Sequence, residues 1–458
     1  MYLGRLLQNK QKCRRNAEKN DYFNAKVAYN GNMNRFYLLM LLGLTLACRH
    51  ASSPQLEKEW QSWLDQKEYF KLRSSLEVHK YDVDPEKALY FRAFIDNVFN
   101  MNIASIQDIR ALMEGYGARL PDSVKARLKM LEEDNYFKTF QYARAAEVDN
   151  ELVEHYKKAM DSAAYADVRN TALITNGLAG VPLQEAHIPG NVVLPWTKNK
   201  VGLMEIPVRH GDSTYLAIFD TRANISSVSA TYAKKLGIRL LNVSYDEGAG
   251  VTGQRFKCSL GVADSMRINE ILMKNVVFQV MPDEVLYIAP IDLSLNIIIG
   301  YPVIAQWREI RIHQDGTMTI PVKPGHADWH NLAMDGLDPV ICAIAGPDTL
   351  GFKFDTGASS SDLFDNYFRR YKQEIMKKGK ASTIRLGGAG GIVEKDVYMI
   401  RNFSIRVGSK TATLKQVAVH KDPIPNLNEK YYGNLGQDLI GQFSEMILNF
   451  ESMYIDFK

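Results

Sequence analysis

The stretch that decides the fold is residues 351–359, which read GFKFDTGAS. A second stretch, residues 216–224, reads LAIFDTRAN and matches the first without gaps. The two aspartates, Asp220 and Asp355, lie 135 residues apart, and a tyrosine stands twelve residues after each of them. An apolar run precedes each aspartate, as expected of a strand that ends there. The agreement between the two stretches indicates an internal repeat.

A second pair of segments repeats at nearly the same distance. Residues 298–303 read IIGYPV and residues 434–439 read NLGQDL, and their glycines lie 136 residues apart. Because two landmark pairs at nearly one offset are hard to produce by chance, this part of the chain is predicted to be a duplicated lobe. Short runs rich in Val, Ile and Phe alternate here with Gly, Asn and Asp, which is typical of an all-β sandwich or barrel.

The Asp-Thr-Gly-Ala-Ser motif, with a hydrophobic-Gly element about eighty residues later, resembles the bilobal retropepsin/pepsin-like aspartic proteases. The resemblance covers roughly residues 200–458. It implies an all-β bilobal fold of two duplicated β-barrel-like lobes, at residues 195–325 and 330–458. The family places a hairpin flap in each lobe, and the matching glycine-rich stretches contain Gly248, Gly250, Gly253, Gly388, Gly390 and Gly391.

The resemblance implies an aspartic endopeptidase whose catalytic pair is Asp220 and Asp355. Two carboxyl groups held close together cannot both ionise easily, so they share a proton. The charged one would accept a proton from a water that attacks the peptide carbonyl, and the other would donate a proton to the carbonyl oxygen. Thr221 and Thr356 would tie the two loops by hydrogen bonds, and Gly357 would allow close backbone approach.

The same resemblance implies no metal and no organic cofactor, with a protein or peptide as substrate. Since one chain supplies both aspartates, no dimer is required.

Arg222 is the departure from the family pattern, because the first copy has Asp-Thr-Arg where the family has Asp-Thr-Gly. A guanidinium beside the pair is expected to favour the ionised form of Asp220 and to depress its pKa. Arg222 either points outward and leaves catalysis intact, or spoils proton sharing or reshapes the substrate site. The alternatives to a peptidase are a catalytically impaired peptide-binding protein of the same fold and a helical-repeat envelope scaffold.

The segment at residues 49–180 is predicted to be an α-helical domain. It is rich in Ala, Glu, Lys and Leu, and Pro85 and Pro121 lie where helices begin. Residues 68–71 (EYFK) resemble residues 135–138 (NYFK) at an offset of 67, close to twice a tetratricopeptide-type period. Either a helical array that binds a peptide or protein, or a bundle that only packs against the rest, fits this pattern.

The amino-terminal tenth of the chain carries the excess of basic residues. Residues 1–48 hold eight Lys and Arg against two acids, which leaves 48 basic against 50 acidic residues in the remainder, so nucleic acid is not an expected partner. Residues 36–47 are apolar but too short to span a bilayer. Residues 33–48 therefore resemble a bacterial lipoprotein signal peptide with Cys48 as the lipidated residue, after an upstream artefact at residues 1–32. The expected location is the cell envelope, on a periplasmic or outer-membrane face, with a lipid anchor in the membrane.

Overall fold

A helical region at residues 54–178 precedes a β-rich region. The computed structural model describes residues 53–248, 252–253, 255–424 and 430–458. Cys48 and Gly250 lie outside these residues, as do the predicted signal peptide and the segment before it. The helices of the first region are α1 (Pro54–Asp65), α2 (Tyr69–His79), α3 (Pro85–Val98), α4 (Asn102–Tyr116), α5 (Asp122–Lys138), α6 (Tyr142–His155) and α7 (Ser162–Leu178).

Prolines and small polar residues begin these helices where the sequence indicated. Pro85 is the first residue of α3, and Pro121 immediately precedes α5, so both predicted helix starts are confirmed. Pro at this position costs no hydrogen bond, because the first-turn N–H groups lack helical partners in any case. Ser53 caps α1 by accepting a hydrogen bond from the Leu56 N–H at 3.4 Å.

Three helical hairpins of the described region close with the same turn. Lys67, Asn100 and Phe140 each follow a helix with a positive φ of 58°, 59° and 60°. In each turn the next residue donates its N–H to the carbonyl five positions back, at 2.7–2.8 Å. This is the Schellman arrangement, in which a left-handed residue ends the helix and satisfies its last carbonyls. The turns recur 33 and 40 residues apart, which defines a structural repeat of helical hairpins.

The tetrapeptide similarity does not mark that repeat. Glu68 is the N-terminal cap of α2, whereas residues 135–138 form the last turn of α5. The two tetrapeptides therefore occupy opposite ends of their helices, and their offset of 67 does not join equivalent positions. The hairpin turns are equivalent by hydrogen bonding rather than by residue type.

The β-rich region holds the strands and several short helices. The short helices are α8 (Ala230–Lys235), α9 (Tyr301–Ala305), α10 (Asp365–Arg370), α11 (Lys372–Lys378) and α12 (Gln437–Ile440). The strands up to the middle of the region are β1 (Glu185–His187), β2 (Val192–Pro195), β3 (Thr197–Lys198), β4 (Met204–His210), β5 (Ser213–Phe219), β6 (Ser226–Ser229), β7 (Arg239–Gly248), β8 (Arg255–Ile268), β9 (Ile271–Met281), β10 (Tyr287–Ile288), β11 (Leu293–Ser294) and β12 (Ile297–Ile299). The later strands are β13 (Glu309–His313), β14 (Thr317–Ile320), β15 (Leu332–Asp335), β16 (Asp338–Ala345), β17 (Asp348–Phe354), β18 (Asp362–Leu363), β19 (Lys380–Gly388), β20 (Gly391–Val407), β21 (Lys410–His420), β22 (Gly433–Leu435), β23 (Glu445–Asn449) and β24 (Tyr454–Phe457).

The described strands form a first sheet, a second sheet and a sheet shared by both parts. The first sheet has the order β1-β9-β6-β12-β5-β4-β8-β7, with β3 on β4. The second has the order β15-β16-β17-β22-β18-β21-β20-β19. The shared sheet, β2-β14-β13-β23-β24, takes strands from before and after the second sheet. A small β10-β11 pair stands apart.

The two sequence repeats occupy matching places in the two sheets. In the first sheet β12 runs parallel to β5 with Ile298 opposite Ile218, and in the second sheet β22 runs parallel to β17 with Asn434 opposite Lys353. The next strand along is antiparallel in both cases, β6 to β12 and β18 to β22. Each aspartate therefore follows a central strand that is paired on both sides.

One apolar cluster joins helices and strands. It includes the fully buried Trp60 of α1, Phe219 of β5, Phe354 of β17 and Phe457 of β24. The helical region thus packs on the β-rich region through a common core. None of the described helices combines the length and apolar character needed to cross a bilayer.

Candidate active site

Asp220 and Asp355 stand in two loops that have the same backbone hydrogen bonds. The Asp220 N–H donates to the Ile299 carbonyl at 3.0 Å, and the Asp355 N–H donates to the Leu435 carbonyl at 2.9 Å. Residues Ala223 and Ala358 then accept hydrogen bonds from the chain just after the Gly300 and Gly436 positions, each at 2.9 Å. The hydrophobic-Gly elements therefore lie against the aspartate loops, as the resemblance implied.

Glycine is required at both hydrophobic-Gly positions by close backbone contact. A Cβ on Gly300 would lie 2.3 Å from the Ala223 carbonyl oxygen, and one on Gly436 would lie 2.6 Å from the Ala358 oxygen. Both distances are shorter than real Cβ contacts, so any side chain here would displace an aspartate loop.

Thr221 and Thr356 cross-link the two loops. The Thr221 N–H donates to Thr356 Oγ1 at 3.0 Å, and the Thr356 N–H donates to Thr221 Oγ1 at 3.1 Å. Each hydroxyl also donates to a carbonyl of the opposite strand, Thr221 to Phe354 at 3.1 Å and Thr356 to Phe219 at 2.8 Å. Both threonines are completely buried. Buried hydrogen bonds between two loops fix their relative position, because an unmade bond there has no replacement from water.

The two carboxyl groups are held differently by their loops. Asp220 Oδ1 accepts hydrogen bonds from the N–H groups of Arg222 at 2.8 Å and Ala223 at 3.1 Å. Asp355 Oδ1 accepts from the Gly357 N–H at 2.9 Å, and its Oδ2 accepts from Asn434 Nδ2 at 3.1 Å. Each carboxyl oxygen of Asp355 thus accepts a hydrogen bond from a neighbouring N–H group.

Because Gly357 has no side chain, it leaves room for the carboxyl group of Asp220. A Cβ on Gly357 would lie 2.4 Å from Asp220 Cγ. The carboxyl group of the first loop therefore lies directly against the backbone of the second loop, two residues after Asp355. A side chain on Gly357 would push Asp220 away.

Burial raises the pKa of both carboxyl groups. Burial, followed by the negative charge of Asp355, raises the pKa of Asp220 to about 7, against the opposing effect of N–H donors and Arg222. Burial also raises the pKa of Asp355, but the guanidinium of Arg222 and the amide of Asn434 partly offset it. Because the Arg222 guanidinium stabilises the anion of Asp355, the arrangement favours a charged Asp355 and a protonated Asp220 below neutral pH.

Arg222 points across to the second sheet. Its Nη1 donates to Asn434 Oδ1 at 3.3 Å and lies 3.8 Å from Asp355 Oδ2, while Nη2 lies 3.5 Å from Asp338 Oδ2. The guanidinium lowers the pKa of Asp220, as expected, but burial and the charge of Asp355 outweigh it, so the pKa of Asp220 is raised. Arg222 acts mainly on the other aspartate.

Asn434 and Asp338 are site residues that the motifs did not single out. Asn434 stands where the first copy has Ile298, so a polar residue in an otherwise apolar repeat element was the available signal. Asp438, close to Asn434 in the sequence, has a structural contact: it accepts hydrogen bonds from the Ser361 N–H at 2.8 Å and from the Ser361 hydroxyl at 2.6 Å.

Of the glycines predicted as flap residues, those that the structure describes lie at the ends of paired strands. Gly248 ends β7, and Gly253 lies just before β8 with a φ of 71°. Gly388 pairs with Gly391 at the β19–β20 turn, and the Gly390 N–H donates to the Val285 carbonyl at 2.8 Å. The tip of the β19–β20 hairpin therefore contacts the part of the chain that follows the first sheet's β9.

Among the described residues, no three His, Cys, Asp or Glu side chains are grouped so that they could hold a metal ion.

One family model matches a part of the chain. Residues 206–303 match the family model described as aspartyl protease, a span that includes Asp220 and Gly300. The chain is also similar to basic 7S globulin from soybean, at 10% identity and a TM-score of 0.37, over 59% of this chain and 95% of that one. A retropepsin-like aspartic protease from Rickettsia conorii is 18% identical with a TM-score of 0.20, over 30% of this chain and 91% of that one. None of the curated proteins matches the chain.

Proposed function

We propose that this protein is an aspartic peptidase, and that Asp220 and Asp355 form the site in which it hydrolyses the peptide bonds of its substrate. The observation that carries the proposal is the buried exchange of hydrogen bonds between Thr221 and Thr356, which holds two Asp-Thr loops face to face. The match of residues 206–303 to the aspartyl protease family supports it. Two carboxyl groups in one buried site, both with raised pKa, are suited to share one proton.

The contacts of each carboxyl group suggest which aspartate acts as the base and which acts as the acid. Asp355, stabilised as an anion by Asn434 and Arg222, accepts a proton from a bound water as the water oxygen forms a bond to the peptide carbonyl carbon. Protonated Asp220 donates its proton to the carbonyl oxygen. The tetrahedral intermediate then breaks its C–N bond as the amine nitrogen takes up the proton that Asp355 received. A new carboxyl group and a new amine result, and the pair regains its single proton.

The pH profile of cleavage tests this assignment. We expect kcat/KM to fall as the pH rises through about 7, because Asp220 then loses the proton that it must donate. It should also fall at acid pH, where Asp355 becomes protonated and can no longer accept a proton. Initial rates on a quenched fluorescent peptide pool, from about pH 3 to about pH 9 at constant ionic strength, measure both limbs. A rate that stays constant through neutral pH would contradict the assignment of Asp220 as the acid.

A second candidate function is peptide binding without hydrolysis, and the position of Arg222 favours it. The guanidinium lies 3.8 Å from Asp355 Oδ2, where it can stabilise the anion enough to weaken it as a proton acceptor.

Arg222→Gly distinguishes the two functions. If the protein is a peptidase, removing the cation raises the pKa of Asp355, and the acid limb of kcat/KM moves up by about 1 pH unit. If the protein only binds peptides, the variant gains cleavage that the natural chain lacks. Arg209→Ala, at an exposed position on β4, is the matched control and should change neither limb. An Arg222→Gly profile that coincides with the natural one would remove Arg222 from the site.

A further inference from the structure

Arg222 is one member of a chain of ionic contacts that begins in the helical region. Lys67 Nζ lies 2.6 Å from Asp335 Oδ2, and Lys353 Nζ lies 3.6 Å from the same oxygen. Lys353 Nζ donates to Asp338 Oδ2 at 2.7 Å, and the Arg222 guanidinium joins Asp338 to Asp355. We call these contacts the ionic chain; its members are Lys67, Asp335, Lys353, Asp338, Arg222 and Asp355.

Apart from Lys67, whose side chain is 34% exposed, the ionic chain is largely shielded from water. The side chain of Lys353 is only 3% exposed, and those of Asp335, Asp338 and Arg222 are 13%, 19% and 17% exposed. The Tyr431 ring covers the Lys353 amine, with 4.8 Å between Nζ and the ring centroid. Charges in such a place interact more strongly than surface pairs, and removing one leaves its partner without compensation.

A tight turn brings the two linking carboxylates together. Asp335 ends β15 and Asp338 begins β16, and the two residues pair with each other across the hairpin. Gly336, within the turn, has a φ of 60°, a conformation that favours glycine. The two acids therefore lie at the same end of the hairpin, one toward Lys67 and the other toward Arg222.

Several residues that form the ionic chain, or contact it, differ between the two copies of the internal repeat. Lys353 stands where the first copy has Ile218, and Arg222 stands where the second copy has Gly357. Asn434, which joins Arg222 to Asp355, replaces Ile298. Each of these exchanges places a polar group on the side of Asp355, so the asymmetry of the carboxyl pair is built from residues that differ between the copies.

Cations and acids alternate along the ionic chain. Three cations, Lys67, Lys353 and Arg222, face three acids, Asp335, Asp338 and Asp355. Burial raises the pKa of Asp335 and of Asp338, but their cations outweigh it and hold both values below the ordinary range. The third negative charge then belongs to Asp355, which faces Asp220, Arg222 and Asp338.

The helical end of the ionic chain depends on the first hairpin turn. Lys67 is the left-handed residue of that turn, and Tyr69, the first residue of α2, donates its hydroxyl to Asp335 Oδ1 at 3.0 Å. Arg127 and Asp134 are the other charged groups that act on Tyr69. The turn thus presents an ammonium and a hydroxyl to the same carboxylate of the second sheet.

We propose that the first helical hairpin is part of the active-site machinery, because Lys67 and Tyr69 hold Asp335 and so keep Lys353 on Asp338 and Arg222 on Asp355. This inference rests on the proposed peptidase function. Without Lys67, Asp335 has Lys353 as its near cation, and Lys353 shifts away from Asp338. Asp338 then draws Arg222 away from Asp355. Lys67 and Asp335 are positioning residues, since neither touches the carboxyl pair.

Lys67→Met tests the inference, with Lys71→Met as the matched control on the same hairpin. Lys71 is 51% exposed and pairs with Glu68 outside the ionic chain. We expect Lys67→Met to lower kcat about 3- to 30-fold with little change in KM, and to shift the acid limb of the pH profile upward. Asp335→Asn should not move the acid limb upward, because Lys353 is then no longer drawn away from Asp338. Lys67→Arg, which keeps the charge, should restore the natural profile. Thermal unfolding of each variant separates this effect from loss of fold, and Tyr69→Phe gives a milder version if the charge variants unfold.

The outcomes separate the inference from the proposed function. If the natural protein cleaves peptides and both Lys67→Met and Tyr69→Phe match Lys71→Met, the inference is overturned and the peptidase stands. If the natural protein does not cleave, the peptidase fails. The carboxyl titration of Asp355 by ¹³C NMR, with its resonance identified from Asp355→Asn, then decides the positioning effect without turnover. A raised midpoint in Lys67→Met supports the ionic chain, and an unchanged midpoint overturns it.

Discussion

Asp355→Asn and Asp220→Asn are each expected to lower kcat for peptide cleavage by about 100- to 10,000-fold. An amide at 355 has no negative charge with which to accept a proton from water, and an amide at 220 has no acidic proton to donate. Both replacements are nearly isosteric. Asp220→Asn replaces a neutral carboxyl group and should leave the stability unchanged, whereas Asp355→Asn removes the anion beside Arg222 and should lower it. Rates on the peptide pool at the optimum pH, with thermal unfolding of the same preparations, give both quantities.

Asp328→Asn serves as the control for the aspartate variants, because that side chain is fully exposed. It should leave kcat unchanged. Full cleavage by both aspartate variants would rule out the assigned pair. Loss in one variant alone would show that the two loops do not act together.

Thr356→Val is expected to lower the free energy of unfolding by about 2–5 kcal/mol. The substitution removes the acceptor of the Thr221 N–H and the hydroxyl donor to the Phe219 carbonyl, in a fully buried place where water cannot substitute. It also removes the cross-link that holds the aspartate loops together, so kcat should fall more than stability alone explains. Urea unfolding and cleavage rates measure the two effects.

Thr356→Ser keeps the hydroxyl and should retain most of the stability. Thr349→Val, at an exposed position of β17, the strand that leads into the second aspartate loop, should change stability by less than about 0.5 kcal/mol. Because each threonine bonds to the other, the Thr221→Val and Thr356→Val effects should not add in the double variant. Additive effects would mean that the two hydroxyl groups act independently.

The repeated motifs predicted the two aspartate loops well, because their information is local. An apolar run before Asp220 and Asp355 predicted a strand that ends at each aspartate, and the resemblance implied a hydrophobic-Gly element packed against each loop. The structure has both, with Gly300 and Gly436 against the carbonyls of the loops.

The helical repeat was harder to find, since the turns share a conformation rather than a residue type. Asn100 has the residue type expected of a left-handed helix end, but Lys67 and Phe140 do not. Hydrogen bonding to carbonyls five residues back stabilises all three turns, and any residue except proline can supply that N–H.

By itself the sequence determined which residues could form the site. These are two copies of an Asp-Thr loop, the strands that lead into them and an arginine, Arg222, at the position where the second copy has a glycine. Only the tertiary structure decided how those groups act. Arg222 affects Asp355 more than the adjacent Asp220, and Lys67 reaches Asp335 although 268 residues separate them. The physical reason is that a strand or a tight turn depends on neighbouring residues, whereas a pKa depends on burial and on the distances between charges, which exist only after distant segments have packed together.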